Sequence, residues 1–361
     1  MLSMYESLTL TPTEEEVVEA AMRWHFNEQT GSRYWLNKRF DLAFDPLSDV
    51  KRFSDLQLFD DVSSDWKTLP MEDLIPKAMF DQLNDFHIFE SGGTTGNPKR
   101  IVEHRSRKHA LNFVQSCLEM HGYNQSFEGH WLHIGPTGPH IVGRTMKALA
   151  QQNQRLCFQV DFDPRWVKKL ILNKQIEQVE QYKAHLLEQA FDLIKTQNIS
   201  VMFVTPPILE SICKDPVLHD AFKKKIKFII WAGTSISPET YRLITELYFP
   251  DCIFMGLYGN TMMGIAPQRP AEPEDEDLYV YQTYSPYCHV QFFNEHGVVD
   301  VPYGEYGQIA VSLLTPEMLI PFTLERDYAK RVKPAGKFKE HGITNVGPMP
   351  NTQLTITEGV Y

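Results

Sequence analysis

The chain has 361 residues and a formal net charge of −11 at neutral pH, with 42% hydrophobic and 22% charged residues. This composition is typical of a soluble globular protein, and the length allows one large domain or two ordinary ones. The negative charge argues against general nucleic-acid binding, because phosphate backbones attract basic surfaces. We therefore expect no nucleic-acid partner.

Targeting signals and metal motifs are not evident. Residues 1–16 lack a basic region followed by an apolar core, and no apolar run approaches the length that spans a bilayer. Five scattered cysteines, an odd number, suit free thiols, and the 13 histidines do not show the usual zinc-ligand spacings. We expect a cytoplasmic protein without a membrane partner, and the residues of any metal site are unknown at this stage.

The first predicted element is an amphipathic helix. Thr13 and Glu16 have the spacing of a capping box, and apolar residues at helical spacing follow them. Proline, aspartate and serine then interrupt short helical pieces up to about residue 85. We predict that residues 1–85 form a helical N-terminal cover.

From residue 86 short apolar runs alternate with helical stretches. The predicted strands are residues 86–89, 131–134, 156–160, 201–204, 228–232 and 252–258. Asp163-Pro164 and Ser237-Pro238 are helix-start signals between them, and residues 175–196 have helical apolar spacing. This alternation predicts an α/β domain over residues 86–280, with a mostly parallel sheet covered by helices. Residues 281–361 are β-rich and predict a small antiparallel sheet or barrel.

The loop after the first of these strands has the composition of an anion-binding loop. Glycine lets a ligand approach the backbone closely, and hydroxyl and ammonium groups bind phosphate. A flexible surface turn is the alternative, and the P-loop pattern does not fit, because no Ser or Thr follows the lysine. The candidate residues are Ser91, Gly92, Gly93, Thr94, Thr95, Gly96 and Lys99.

Two further glycine-containing loops follow buried strands. Residues 231–237 include Gly233 and Thr234, and residues 256–264 include Tyr258-Gly259-Asn260-Thr261. Ligands of parallel sheets bind at the carboxyl ends of the strands, where such loops lie. The three loops are therefore predicted to contribute to one site.

In this order, together with residues 304–311 and 324–327, the loops resemble the motifs of the acyl-adenylate-forming superfamily, which includes acyl-CoA ligases and luciferases. The phosphate motif Ser-Gly-Gly-Thr-Thr-Gly-x-Pro-Lys is matched over 91–99, and Tyr-Gly-x-Thr at 258–261. The resemblance covers residues 86–327 and is closest to the phenylacetate-CoA ligase branch. Residues 23–36 and 345–361 resemble the stand-alone adenylating proteins of phenazine antibiotic biosynthesis, which act on griseoluteic-type acids.

The resemblance implies an α/β fold, the large N-terminal domain of such an enzyme with a small β-barrel-like subdomain. It also implies an enzyme that uses ATP and Mg²⁺ to convert an aromatic carboxylic acid to acyl-AMP. Lys99 and Thr261 would be catalytic and the phosphate motif would hold the β- and γ-phosphates. Gly233, Thr234, Tyr258 and Gly259 would contact the adenine end of ATP. Asp327 would bind the ribose hydroxyls, although only Arg326 beside it also matches the family.

Two departures from the family matter. The glutamate that binds Mg²⁺ after Tyr-Gly-x-Thr is replaced by Met262, and a thioether is a poor ligand for a hard cation. The sequence also ends at Tyr361, before the mobile C-terminal domain that carries a catalytic lysine in the family. We therefore expect that domain to be absent.

The acid pocket is predicted along residues 130–143 and beside the Tyr-Gly-x-Thr strand. His133 or His140 would pair with the carboxylate, and Gly138 belongs to the same loop; for each histidine a turn position is an equal alternative. Gly256 would leave room for a flat ring, and the 12% aromatic content favours an aryl acid.

Three functions follow as alternatives. The first is adenylation of an aromatic acid, with the acyl-AMP passed to a downstream reductase or transferase. The second extends this to CoA thioester formation with a C-terminal domain supplied in trans. The third is a non-catalytic protein that binds an acid or a nucleotide, which the intact stretch 91–99 argues against.

Overall fold

The computed structural model describes residues 4–9, 11–92, 97–104, 106–124, 127–294, 296–297 and 299–349. They fall into two compact units between which the chain passes several times. Unit 1 comprises Met1–Ala110, Asn260–Gly264 and Thr283–Lys333, and unit 2 comprises Leu111–Gly259, Ile265–Gln282 and Pro334–Tyr361. The three sequence segments 1–85, 86–280 and 281–361 stay a prediction.

The N-terminal part of unit 1 is helical, as the sequence predicts. The predicted capping box is confirmed, because Glu16 N donates to Thr13 Oγ1 at 3.2 Å and Thr13 N donates to Glu16 Oε2 at 2.9 Å. The α-helices are α1 (Glu14–His25), α2 (Arg33–Lys38) and α3 (Pro46–Asp49). The 3₁₀ segments are Tyr5–Ser7, Arg39–Asp41, Phe53–Leu58, Asp65–Lys67, Met71–Asp73 and Lys77–Asp85.

Unit 1 also contains a two-stranded hairpin. Strands β1 (His87–Glu90) and β2 (Arg100–Glu103) pair antiparallel, with Glu90 opposite Arg100. The strand predicted at residues 86–89 is therefore present, but its placement in the parallel sheet is wrong. A short loop returns the chain directly to its partner, which only an antiparallel pair permits.

The predicted antiparallel sheet after residue 280 is confirmed in unit 1. It contains β9 (Cys288–Phe293), β10 (Tyr306–Leu314) and β11 (Leu319–Val332). Strand β10 pairs antiparallel with both β9 and β11. The pairing of β10 with β11 is irregular between Leu324 and Tyr328, the stretch that contains Glu325 and Asp327.

Unit 2 is built on a six-stranded sheet with the order β4-β3-β5-β6-β7-β8. Its first five strands pair parallel, which confirms the mostly parallel sheet that the sequence predicts. The strands are β3 (His130–Gly135), β4 (Cys157–Asp161), β5 (Ile199–Val204), β6 (Phe228–Trp231), β7 (Ile253–Asn260) and β8 (Gly264–Pro267). Strand β12 (Gly342–Pro348) is joined to Tyr281 by a bridge at Ile343.

Helices connect these strands, and the predicted helix starts are confirmed. Asp163 Oδ1 accepts from Arg165 N at 2.9 Å, and Ser237 Oγ accepts from Thr240 N at 3.1 Å. The helices are α4 (Arg107–Met120), α5 (Ile141–Gln152), α6 (Pro164–Leu172), α7 (Ile176–Thr196), α8 (Pro206–Lys214), α9 (Pro216–Lys225) and α10 (Pro238–Arg242), which continues into a π-helical segment, Leu243–Tyr248. Among the helices of the described residues, none combines the length and the apolar character needed to cross a bilayer.

The two faces of the sheet in unit 2 are packed differently. Side chains alternate along a strand, so Met255 and Leu257 point to one face and Gly256 and Tyr258 to the other. The first face joins a buried aliphatic and aromatic cluster with residues of α4 and α5, including Val114, Leu118, Met146 and Leu149. The second face is covered by aromatic rings from Trp231, Tyr279 and Tyr281.

Candidate functional site

The hairpin of unit 1 holds both ends of the predicted phosphate loop. Ser91 N donates to Lys99 O at 2.9 Å, and Lys99 N donates to Ser91 Oγ at 2.8 Å. These bonds continue the β1–β2 ladder and fix where the loop leaves and re-enters the hairpin. Gly92 is half-buried at the exit, while Gly93, Thr94, Thr95 and Gly96 lie outside the described residues.

Thr261 lies beside the start of this loop. Its Oγ1 donates to the carbonyl of Glu90, the residue before Ser91, at 3.3 Å. The turn that carries Thr261 is held by Asn260, whose Oδ1 accepts from Met262 N at 2.9 Å. Two motifs that are about 170 residues apart in the sequence are therefore adjacent in unit 1.

Met262, which replaces the metal-binding glutamate of the family, is buried. Its side chain is 2% exposed, and the next residue, Met263, is 4% exposed. A buried thioether offers no oxygen ligand for a hard cation. This position is therefore part of the apolar packing of unit 1.

Strand β11 carries its charged residues on a bulge. Gln308 pairs with Tyr328 and Ala310 with Leu324, so one residue of β10 lies opposite three of β11. Gln308 Nε2 donates to Glu325 O at 2.7 Å, which fixes the bulged backbone. Bulges often re-aim side chains beside functional sites.

The three residues on this bulge face different surroundings. Arg326 is exposed, whereas Glu325 and Asp327 are half-buried. Asp327 was predicted from the sequence as a site residue, whereas Glu325 was not. The sequence did contain a signal for Glu325. It is a carboxylate two residues before Asp327 in the segment predicted to be β-rich, and residues i and i+2 of a strand share a face.

Glu325 lies among several charges. Burial raises the pKa of its carboxyl group to about 7, Lys99 opposes this increase, and Asp327 and Asp61 add to it. Its Oε1 atom is buried and has no hydrogen-bond partner among the described residues. Such an oxygen loses solvation without compensation until a cation or a donor reaches it. Unit 1 thus brings Lys99 close to the stretch that carries Glu325 and Asp327.

The predicted adenine-binding residues lie at the carboxyl ends of β6 and β7 in unit 2. Gly233 is exposed and has a φ of +99°, a conformation that favours glycine over residues with a side chain. Thr234 is half-buried in the same loop, and Gly259 is exposed. Tyr258 is buried, with its ring centroid 5.9 Å from that of Tyr281. These positions agree with the predicted strand-end loops, and their nucleotide roles stay predictions.

The space beside Gly256 is already filled. A Cβ atom at this position would lie 2.8 Å from Trp231 Cζ2 and 3.1 Å from Tyr281 Cε1. The expected room for a flat ring is therefore not present, because the protein's own indole occupies it. Gly256 permits close packing of Trp231, which is its direct neighbour in the β6–β7 register.

His133 is a core residue in the structure. It is 0% exposed, its ring stacks on Phe203 at 4.7 Å, and its Nε2 lies 3.2 Å from Pro136 O. Burial lowers the pKa of His133 to about 4, so its imidazole is neutral near pH 7. The pairing of His133 with the substrate carboxylate stays a prediction, and its full burial in β3 matches neither that role nor a turn position.

Gly138 and His140 lie on the loop between β3 and α5. Gly138 is exposed, and a Cβ atom there would meet nothing within 4 Å. His140 is half-buried and is the residue before the first turn of α5. Their assignment to the acid pocket stays a prediction.

Comparisons with known proteins support the fold. No protein-family model and no curated protein matches the chain. The structure is similar to a 2-hydroxyisobutyryl-CoA ligase in complex with 2-HIB-AMP and CoA in the thioesterification state, with a TM-score of 0.63 and 12% identity, covering 93% of this chain and 68% of that chain. An open conformation of that ligase gives a TM-score of 0.60 and 12% identity, covering 88% and 69%.

The luciferase-like enzyme from the nonluminescent Zophobas morio mealworm also matches, with a TM-score of 0.47 and 17% identity. That match covers 72% of this chain, and the chain spans 56% of the mealworm enzyme. The chain has the mixed α/β fold of the N-terminal domain of adenylate-forming ligases.

Proposed function

We propose that the protein is an ATP-dependent enzyme that adenylates a carboxylic acid. The observation that carries this proposal is the 3.3 Å hydrogen bond from Thr261 Oγ1 to Glu90 O, which places the Tyr-Gly-x-Thr threonine beside the loop that begins at Ser91. Lys99 also acts on Glu325, so the stretch 324–327 belongs to the same region of unit 1 as the loop that begins at Ser91. The fold supports this arrangement, since it is the one used by adenylate-forming ligases.

The proposed reaction joins the acid to the α-phosphate of ATP. A carboxylate oxygen forms a bond to the α-phosphorus, the bond from that phosphorus to the bridging oxygen breaks, and pyrophosphate leaves with the electron pair. Two anions must approach each other, so the site has to supply positive charge and hydrogen-bond donors. Lys99 would supply the charge, and the Thr261 hydroxyl would orient the α-phosphate once its hydrogen turns from Glu90 O to a phosphate oxygen.

The Mg²⁺ that such a reaction uses fits the residues that are present. When bound, it would neutralise part of the phosphate charge. Magnesium is usually held by one or two carboxylates together with substrate phosphates and water. Glu325, with a buried oxygen that lacks a partner among the described residues, is a carboxylate of the required type.

We propose an aromatic acid as the substrate, of the phenazine type such as griseoluteic acid, and a downstream reductase or transferase as the acceptor of the activated acid. The support for this class is the sequence resemblance over residues 23–36 and 345–361. Gly233, Thr234 and Tyr258 would contact the base of ATP, and Asp327 its ribose.

Exchange of labelled pyrophosphate into ATP tests the reaction, with a panel of aromatic acids that includes phenazine acids and with aliphatic acids for comparison. We expect exchange that requires one of the aromatic acids. Exchange with an aliphatic acid alone would contradict the substrate class and leave adenylation in place. No exchange with any acid would contradict adenylation itself.

Lys99→Ala tests the proposed phosphate contact. Charge-assisted hydrogen bonds contribute about 1.5–3 kcal/mol, so ATP affinity measured by calorimetry should fall about 10- to 150-fold. Lys108→Ala is the matched control, because Lys108 is also in unit 1 and is exposed. Unchanged ATP affinity in Lys99→Ala would contradict the assignment of Lys99 to the phosphates.

A further inference from the structure

We propose that Glu325 is the carboxylate that holds the divalent cation of the bound ATP, in place of the glutamate that residue 262 does not provide. This inference rests on the proposed adenylation of an acid. It assigns a ligand role to a residue that lies on β11, far in sequence from the Tyr-Gly-x-Thr motif.

The first reason is that Glu325 has an oxygen to offer. Its Oε1 atom is shielded from solvent and accepts no hydrogen bond from any described residue. A carboxylate oxygen that is shielded from water and accepts no hydrogen bond destabilises the folded state. A cation that arrives with the substrate would supply the missing interaction.

The second reason is that the neighbouring Asp61 is already engaged. Asp61 Oδ1 accepts from Ser63 N at 2.9 Å, and Asp61 Oδ2 accepts from Leu324 N at 3.1 Å. Both of its oxygens therefore hold backbone groups. Glu325, by contrast, keeps a carboxyl oxygen without such a bond among the described residues.

The third reason is that hydrogen bonds hold the backbone at Glu325. The bulge places three residues of β11 opposite one residue of β10, and Gln308 Nε2 holds Glu325 O at 2.7 Å. Asp61 holds the preceding residue, Leu324, from the other side. A ligand on such a fixed segment loses little freedom when the cation binds, which favours a defined coordination geometry.

The fourth reason is the charge of Lys99. Its ammonium acts on the Glu325 carboxyl group, so a cation and a carboxylate lie near each other at the end of the phosphate hairpin. A phosphate attracts the lysine directly and the carboxylate only through a metal ion. The pair therefore suits a magnesium–phosphate complex better than a free phosphate.

Calorimetry with ATP in the presence and absence of Mg²⁺ tests the inference. We expect wild-type protein to bind the magnesium complex of ATP more tightly than metal-free ATP. In Glu325→Gln this preference should fall by at least about 10- to 100-fold, the range for removing a group that orients a metal ligand, because loss of a ligand costs no less. Affinity for metal-free ATP should stay the same or rise, because a negative charge near the phosphates is lost.

Electron paramagnetic resonance of Mn²⁺ gives a readout that does not depend on turnover. ATP alone changes the Mn²⁺ spectrum, and adding wild-type protein with ATP should change it further. With Glu325→Gln protein, the additional change should be smaller. Glu305→Gln is the matched control, since this glutamate is in unit 1 and exposed. The midpoint of thermal unfolding without ligand should not fall in Glu325→Gln, which separates the loss of a ligand from a folding defect.

The outcomes separate this inference from the proposed function. A wild-type preference for magnesium–ATP that persists in Glu325→Gln would overturn the role of Glu325 and leave adenylation intact. Wild-type protein that binds ATP with no preference for the magnesium complex would also overturn it. Wild-type protein that binds no ATP with or without metal would overturn the proposed function, and this inference with it.

Discussion

In unit 2 the predicted site positions are set among apolar side chains: Trp231 is 1% exposed and lies over Gly256, and His133 is fully buried against Phe203. In unit 1 they are set among charges and backbone hydrogen bonds. There Lys99 acts on the half-buried carboxyl group of Glu325, and Thr261 is hydrogen-bonded to the strand that leads into the phosphate loop.

One composition signal therefore has two physical meanings. A glycine or histidine near a strand end can serve a ligand or the packing of the protein's own side chains. At Gly256 and His133 the contacts favour packing. At Thr261 and Glu325 the contacts are polar or incomplete, and polar groups that the fold alone does not satisfy are candidates for ligand binding.

Trp231→Ala should have the largest effect on stability. Removing a fully buried indole leaves a cavity and costs about 3–5 kcal/mol. Urea unfolding should show this loss, whereas Trp166→Ala, at a residue 45% exposed, should cost less than about 1 kcal/mol. Equal costs for the two variants would break the comparison, because unit 2 would then not depend on the rings over β6 and β7.

Glu317→Gln tests whether unit 1 depends on buried charge. Glu317 is 1% exposed; its Oε1 accepts from His104 N at 2.8 Å and from the Ser106 hydroxyl, with Tyr5 and Glu103 also near its carboxyl group. Burial raises its pKa from 4.5 to about 7. The fold thus favours the protonated form.

The stability that Glu317 contributes is therefore fully present below its unfolded-state pKa and is lost as pH rises through about 7. Between pH 4.5 and about 7, the Glu317 carboxyl group should lower the free energy of unfolding of wild-type protein by up to about 3 kcal/mol. In Glu317→Gln the free energy of unfolding should depend less steeply on pH, whereas in Glu305→Gln its pH dependence should match that of wild-type protein. A wild-type slope in Glu317→Gln would show that this carboxyl group is not the source.

Asp327→Ala sharpens the assignment on β11. If its carboxylate binds only the ribose, affinity for ATP and AMP should fall by about 1.5–3 kcal/mol while pyrophosphate affinity stays unchanged. Calorimetry with the three ligands measures this, with Asp60→Ala as an exposed control in unit 1. Equal losses for all three ligands would point to damage to unit 1 instead.

Gly256→Ala should have the smallest effect of the four, about 1–3 kcal/mol, because a methyl group must displace Trp231 and Tyr281. Gly138→Ala is the matched control, since its added methyl group would meet nothing within 4 Å. Denaturant unfolding compares the two. A Gly256→Ala protein as stable as Gly138→Ala would mean that the rings move easily, and the space beside Gly256 would again be open to a substrate.

Much of the fold was predictable because it depends on local patterns. Apolar runs and helix-start residues identified the strands of the parallel sheet, and Asp163 and Ser237 cap the helices as expected. The hairpin was predicted incorrectly, since residues 86–89 are as apolar as the parallel strands and a strand's own residues do not specify its partner. Glycine content predicted a loop over 91–99 for the same local reason, and residues 93–96 of it lie outside the described part of the chain.

The α/β class, the antiparallel sheet after residue 280 and the motifs at which a site is predicted follow from the sequence. The tertiary structure alone decided which residues surround each motif. Trp231 fills the space beside Gly256, Glu325 is left with an unpartnered oxygen near Lys99, and Thr261 reaches the strand before Ser91. These relations depend on contacts between residues that are far apart in the chain. Such contacts leave no periodic signal in the sequence, because each residue fits the local pattern of its own segment.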